Sequence, residues 1–187
     1  MLKTLSVALY LTLVASISSA VLPGSVSAAE VTTIEWTDLM PEEDLKALQQ
    51  MPEVQHDYSQ PSPFDDNYQG DDPVAQQWQQ ILNSAKVVEK YNNTKVRVPG
   101  FIVPLEFDSE QNVTSFFLVP YFGACIHVPP PPPNQIIYVK YPQGAPIQQL
   151  WDVIYLIGTL KTESVSHDLA ETAYVIEGTA IEEYDDM

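Results

Sequence analysis

The sequence predicts a mainly β fold with N-terminal helices, an α+β chain whose β part is a small OB-like five-stranded barrel. Three observations lead there. Five apolar runs of strand length follow one another from residue 95 onward. Three of them carry an interior glycine, at Gly100, Gly158 and Gly178. Such a glycine weakens a flat strand but permits the bulges and sharp coiling of a closed barrel. Helical patterning is confined to the stretch before the strands and to one short segment late in their order, as in an OB-like arrangement. A small sandwich or an open sheet is the competing architecture.

The strands are expected over residues 95–107, 114–121, 135–141, 151–162 and 173–184. The first alternates through Val96 and Val98, then through Phe101, Val103 and Leu105. A short helix is expected near residues 146–150. Ahead of the strands, one helix is expected over residues 73–91. Asp72 can cap it and Pro73 suits its first turn. Val74, Trp78, Ile81, Leu82, Ala85 and Val88 share one face at helical spacing. Trp78, Ile81 and Leu82 are therefore expected to be buried against the β domain. A shorter helix is expected from Pro41, whose ring suits a first turn, through the acids Glu42 and Glu43 to about Gln49.

Three regions follow. Residues 1–28 read as a secretory signal peptide, with Lys3, an apolar run over residues 5–17 and the small-residue box Val26-Ser27-Ala28. A cut after Ala20 or an uncleaved anchor are the alternatives. The apolar run is shorter than the roughly 18 residues of a spanning helix, so no membrane span is expected after cleavage. Residues 29–72 form an N-terminal extension with the short helix and an acidic arm rich in proline and glutamine. Residues 73–187 hold the longer helix and the β domain. Asn92-Asn93-Thr94 and Asn112-Val113-Thr114 match the glycosylation sequon, which matters only outside bacteria.

The formal net charge is −17, and loss of Lys3 with the leader makes it −18. Such a surface lacks the lysines and arginines that neutralise phosphates, which excludes nucleic acid as a partner class. It also disfavours anionic membranes. A basic partner, a cation or plain solubility fits it. Cys125 is the single cysteine. No internal disulfide can form, and an oxidoreductase of the two-thiol type is excluded.

Cys125 opens the most unusual stretch of the chain. His127 follows two residues later, then Pro129, Pro130, Pro131, Pro132 and Pro133, then Asn134 and Gln135. In extended backbone Cys125 and His127 would face one way. The five prolines favour an ordered polyproline II rod of roughly 15 Å, at 3.1 Å per residue. The connection over residues 122–134 is long for a hairpin, and a loop of that length in a compact domain is usually functional or disordered. Its locked, apolar composition argues for order. Residues 125, 127 and 129–135 are thus the candidate binding element.

Four roles stay open for it. Cys125 and His127 are suitable ligands for zinc or copper, but two ligands do not complete a site, and His56, His167 or nearby carboxylates would have to contribute. His127 could also lower the Cys125 pKa, although the prolines leave no room for the helix N-terminus that papain-like enzymes use. Finally, the two side chains could pack and pin the loop while the prolines protect a sheet edge. A polyproline rod could equally dock on aromatic side chains, its own or a partner's. No full catalytic constellation is present, so a non-enzymatic role is expected.

The runs Val98-Pro99-Gly100-Phe101-Ile102-Val103-Pro104-Leu105-Glu106-Phe107 and Phe116-Phe117-Leu118-Val119-Pro120-Tyr121-Phe122-Gly123-Ala124-Cys125-Ile126-His127-Val128, with the closing Pro-Asn-Gln, resemble a family of exported bacterial proteins known as domain of unknown function 3299. Trp151-Asp152, Gly158-Thr159-Leu160, Trp36, Asp38-Leu39 and Pro41 extend the resemblance over nearly all of the mature chain. The resemblance implies a periplasmic or envelope protein of a Gram-negative bacterium. It implies an accessory or adaptor role with an envelope protein partner, such as an ABC-type transport or metal-homeostasis system. It implies no catalytic activity and no certain cofactor. A metal-binding protein using Cys125 and His127 is the alternative.

Overall fold

A computed structural model describes residues 30–50, 73–124, 131–146 and 152–184. The leader, the arm over residues 51–72 and the segments 125–130, 147–151 and 185–187 lie outside the described residues. So do the expected short helix, except for Pro146, and the side chains of His56, Cys125, His127, Pro129 and Pro130.

Chain order is β1 (Thr32–Thr33), a 3-10 turn (Trp36–Leu39), α1 (Glu42–Gln50), α2 (Pro73–Leu82), a second 3-10 turn (Glu89–Tyr91), β2 (Thr94–Phe107) and β3 (Val113–Val119). A third 3-10 turn (Pro133–Gln135) precedes β4 (Ile137–Ala145), followed by β5 (Ile154–Lys161), β6 (Val165–Ser166), β7 (Glu171–Thr172) and β8 (Tyr174–Glu183). The sheet runs β2-β3-β4-β8-β5 and closes by pairing β5 back onto β2. Only β4 and β8 run parallel within this ring; its other pairs are antiparallel. The five-stranded OB-like barrel is therefore closed and mixed.

β2 makes the closure by serving two partners. Its first half, through Gly100, pairs with β5, and its second half, from Phe101, pairs with β3. Gly100 stands at the changeover, where a Cβ would sit 2.8 Å from Leu118 Cγ and 2.9 Å from the Val119 carbonyl. Gly158 and Gly178 face each other across β5 and β8, beside a register shift after Ile157. A Cβ on Gly158 would meet Glu177 O and Ile176 Cγ2 at 2.5 Å, and one on Gly178 would meet the Tyr141 ring at 2.7 Å. The strands thus approach each other only because these positions lack side chains.

The barrel interior follows the two-residue period of its strands. β5 alternates strictly, with Ile154, Leu156 and Leu160 buried. Val96 and Val98, Phe116 and Leu118, Ile137 and Val139, and Tyr174 and Ile176 complete the core. Ile34 and Leu39 join it from the N-terminal segment, with Trp36 packed against them. β1 lies parallel to β2 in register Thr32–Val96, which carries Ile34 into place. β3 is buried on both faces. Phe117 and Val119 point outward into a second apolar cluster with Ala124 and Ile136. This continuous burial matches the apolar run at residues 116–119, while the strand expected to reach Tyr121 ends at Val119 and Tyr121 is exposed.

The helix expected over residues 73–91 is shorter than its periodicity suggests. α2 ends at Leu82, residues 84–88 belong to no helix, Val88 is extended, and Ala85 is exposed. The cause is tertiary. The Ser84 carbonyl accepts the Asn134 amide at 3.3 Å, and the Val88 amide donates to the Tyr174 hydroxyl at 2.6 Å. Those bonds replace the helical ladder. α2 packs against α1. Ile81 is buried as expected, but Trp78 and Leu82 are only half-buried. Among the described residues, no helix is long and apolar enough to cross a membrane.

The glycine contacts give a direct test. Gly158→Val must displace backbone at Glu177. It should cost about 1–3 kcal/mol or more, read as a lower urea midpoint, and a loss below about 0.5 kcal/mol would refute the packing account.

Candidate functional site

The described part of the proline-rich loop ends in a braced corner. Pro132 has φ −57° and ψ 153°, the polyproline II geometry expected of the rod. Pro133 departs from that expectation. It opens the 3-10 turn through Gln135, a first-turn position that suits a residue without an N–H. Polyproline II geometry at Pro132 therefore gives way to the turn at Pro133, one residue before the run of prolines ends. Cys125 and His127, the expected ligand pair, lie outside the described residues, so their relative orientation is not part of this geometry.

Asn134 and Gln135 face inward. Asn134 is fully buried, and its Nδ2 donates to the Lys86 carbonyl at 3.1 Å and lies 3.5 Å from Asp44 Oδ2. Asp44 is also buried, accepting the Ser84 hydroxyl and pairing with Lys86 Nζ at 3.2 Å. Glu43 accepts the same ammonium at 2.7 Å. Hydrogen bonds to Glu43 first, then Asp44, hold Lys86 protonated above the ordinary lysine value. Gln135 Nε2 donates to the Trp36 carbonyl at 2.9 Å, and the Ala173 amide donates to the Pro133 carbonyl at 2.8 Å. One short turn thereby ties together α1, the end of α2, the Trp36 segment and the start of β8. Asn134 and Gln135 anchor the loop; of the two, Gln135 also reaches the surface feature it frames.

That feature is a half-open pocket of about 160 Å3. Met40 and Leu48 form its N-terminal wall, and Trp78, Ile81 and Leu82 its α2 wall. Pro120 and Tyr121 come from the end of β3. Pro131, Pro132 and Gln135 close it from the proline run. The prolines and aromatic rings of this one chain thus line a common cavity. Trp78 and Tyr121 were not separable from ordinary core residues by sequence. A helix face reads alike whether it covers a core or walls a pocket.

His167, considered as a distant metal ligand, lies in the loop between β6 and β7. It is exposed, its Nδ1 accepts the Leu169 amide at 3.2 Å, and its ring stands edge-on to Phe117 at 5.5 Å. Among the described residues, no three histidine, cysteine, aspartate or glutamate side chains converge as a metal site.

A closed five-stranded barrel, an N-terminal segment that adds Ile34 and Leu39 to its core, and a turn braced by buried amides define the class. The chain belongs to the family described as protein of unknown function (DUF3299), whose model matches residues 36–183. It is similar to a DUF3299 family protein from Pseudomonas aeruginosa PAO1 known from a crystal structure. The two are 32% identical with a TM-score of 0.62, over 84% of this chain and 99% of that one. No curated protein matches the chain.

The corner depends on Tyr174, whose hydroxyl accepts from the Val88 amide at 2.6 Å and donates to the Leu39 carbonyl at 2.9 Å. Burial pushes this hydroxyl up to about 12 from 10.0, against the pull of the Val88 amide. Below pH 10 the folded and unfolded chains both hold the proton. Between about pH 10 and 12 only the folded chain keeps it, so stability falls as pH rises through that window. Tyr174→Phe should lose about 1–3 kcal/mol at neutral pH. Urea midpoints measured from pH 9 to 12 should decline less steeply in the variant than in the native protein; equal slopes would contradict the assignment.

Proposed function

We propose that this protein is a non-enzymatic accessory or adaptor of the Gram-negative periplasm, recognising an envelope protein partner through the proline-rich loop. The system it serves is an ABC-type transport or metal-homeostasis system. One observation carries the reading: the loop's closing turn is locked by buried side-chain amides where an apolar pocket opens. A recognition element held in place before binding loses less freedom on binding, which favours affinity. The basic and apolar start of the sequence supports export. The family carries a description of unknown function and supplies neither partner nor chemistry.

Site-specific photocrosslinking in the native periplasm tests it. A crosslinker at Tyr121 should yield one discrete adduct with an envelope component, and one at the exposed Glu163 should not. Absence of any adduct, or substrate turnover that requires Cys125, would overturn the adaptor reading. Zinc or copper that copurifies in fixed ratio and is lost in both Cys125→Ser and His127→Ala would establish the metal-binding reading instead.

A further inference from the structure

The pocket beside the proline turn is small and one-sided in charge. An apolar cavity of about 150 Å3 accepts a benzene-sized guest. At about 160 Å3 this one takes a single aromatic ring or branched aliphatic group, whereas drug-sized ligands and cofactors need roughly 300 Å3 or more. Its mouth is apolar: Leu48 is 37% exposed and Tyr121 42%, and Phe122 beside Tyr121 is 60% exposed. Large exposed apolar side chains gathered at a cavity mark an interaction site more than singly scattered ones do.

Charge distinguishes the walls. Residues 73–84, 119–124 and 131–136 carry no charged side chain. The fourth wall belongs to residues 30–50, which hold Glu30, Glu35, Asp38, Glu42, Glu43 and Asp44 against Lys46 alone. Lys46 is already paired with Glu42. Lys86 also pairs with Glu43 and Asp44, so a guest group in the pocket would have uncharged segments on three sides and, on the fourth, a segment whose six acids outnumber the two lysines that meet them.

We infer that the pocket captures one leucine- or phenylalanine-sized side chain from a partner segment that carries lysine or arginine beside it. This rests on the adaptor reading and specifies what the partner presents. The apolar plug supplies the buried anchor, and the flanking cations meet the net negative segment of residues 30–50. Fully desolvated anchors of this kind dominate interface affinity, while complementary rim charge steers the approach.

The probe is a random library of short phage-displayed peptides panned against the full-length mature protein. Leu48→Lys and Tyr121→Ser alter the pocket mouth at partly exposed positions, and Leu169→Lys alters an apolar side chain elsewhere that is 61% exposed. Selected peptides should carry a bulky apolar residue flanked by lysine or arginine. Their affinity should fall about tenfold or more in both mouth variants, stay unchanged in Leu169→Lys, and weaken with added salt. Selection of acidic or uncharged peptides, equal binding by the mouth variants, or no selection at all overturns the inference. The last result is also what a pocket already filled by residues 51–72 would give. Failure here with a retained envelope crosslink leaves the adaptor reading standing, whereas Cys125-dependent turnover removes that reading whatever the peptides show.

Discussion

A single phenolic oxygen joins three stretches of chain that share no β-ladder there. Tyr174 stands at the start of β8, inside the barrel core, and its hydroxyl serves Leu39 in the N-terminal segment and Val88 after α2. Neither backbone group belongs to a strand, and a buried amide or carbonyl without a partner is costly. The same logic recurs at Asn134 and Gln135, whose side-chain amides serve the carbonyls of Lys86 and Trp36. The irregular half of the molecule is therefore fastened to the regular half by side chains that imitate backbone.

This fastening explains where the pocket comes from. α1, the residues just after α2 and the proline turn are held to one another by polar bonds among Asp44, Ser84, Lys86 and Asn134. Their apolar residues meet one another with positions already set by those bonds. Met40, Trp78 and Pro131 line the gap between these segments. Dense cores form where side chains can adjust to each other. Here the polar anchors set the spacing first, and a cavity is the geometric remainder.

The strands were legible because a period of two survives in almost any surroundings, as the alternation of Ile154, Leu156 and Leu160 shows. The three glycines were legible for a related reason: a residue that weakens a strand persists where side chains would collide. The end of α2 was hidden. Ala85 and Val88 continue the helical period, but Asn134 and Tyr174, far away in sequence, claim the backbone of residues 84–88. Of the proline run, Pro132 has the extended geometry that its sequence suggests, while Pro133 yields to the turn that seats Asn134. Polar residues next to prolines resemble a presented surface. Only the fold shows that Asn134 and Gln135 point inward, because inward partners such as Asp44 and Trp36 have no fixed sequence offset.

The contact between Gly178 and the Tyr141 ring has a wider implication. Without a Cβ at Gly178, the ring lies across the strand and its centroid comes within 6.3 Å of the Phe116 ring inside the barrel. The interior there is filled by aromatic rings, with Phe116, Tyr141 and Tyr174 in one buried cluster. The surrounding N-terminal segment is bound into that same centre through Ile34 and Leu39, so an exchange of its composition would be felt by the barrel itself.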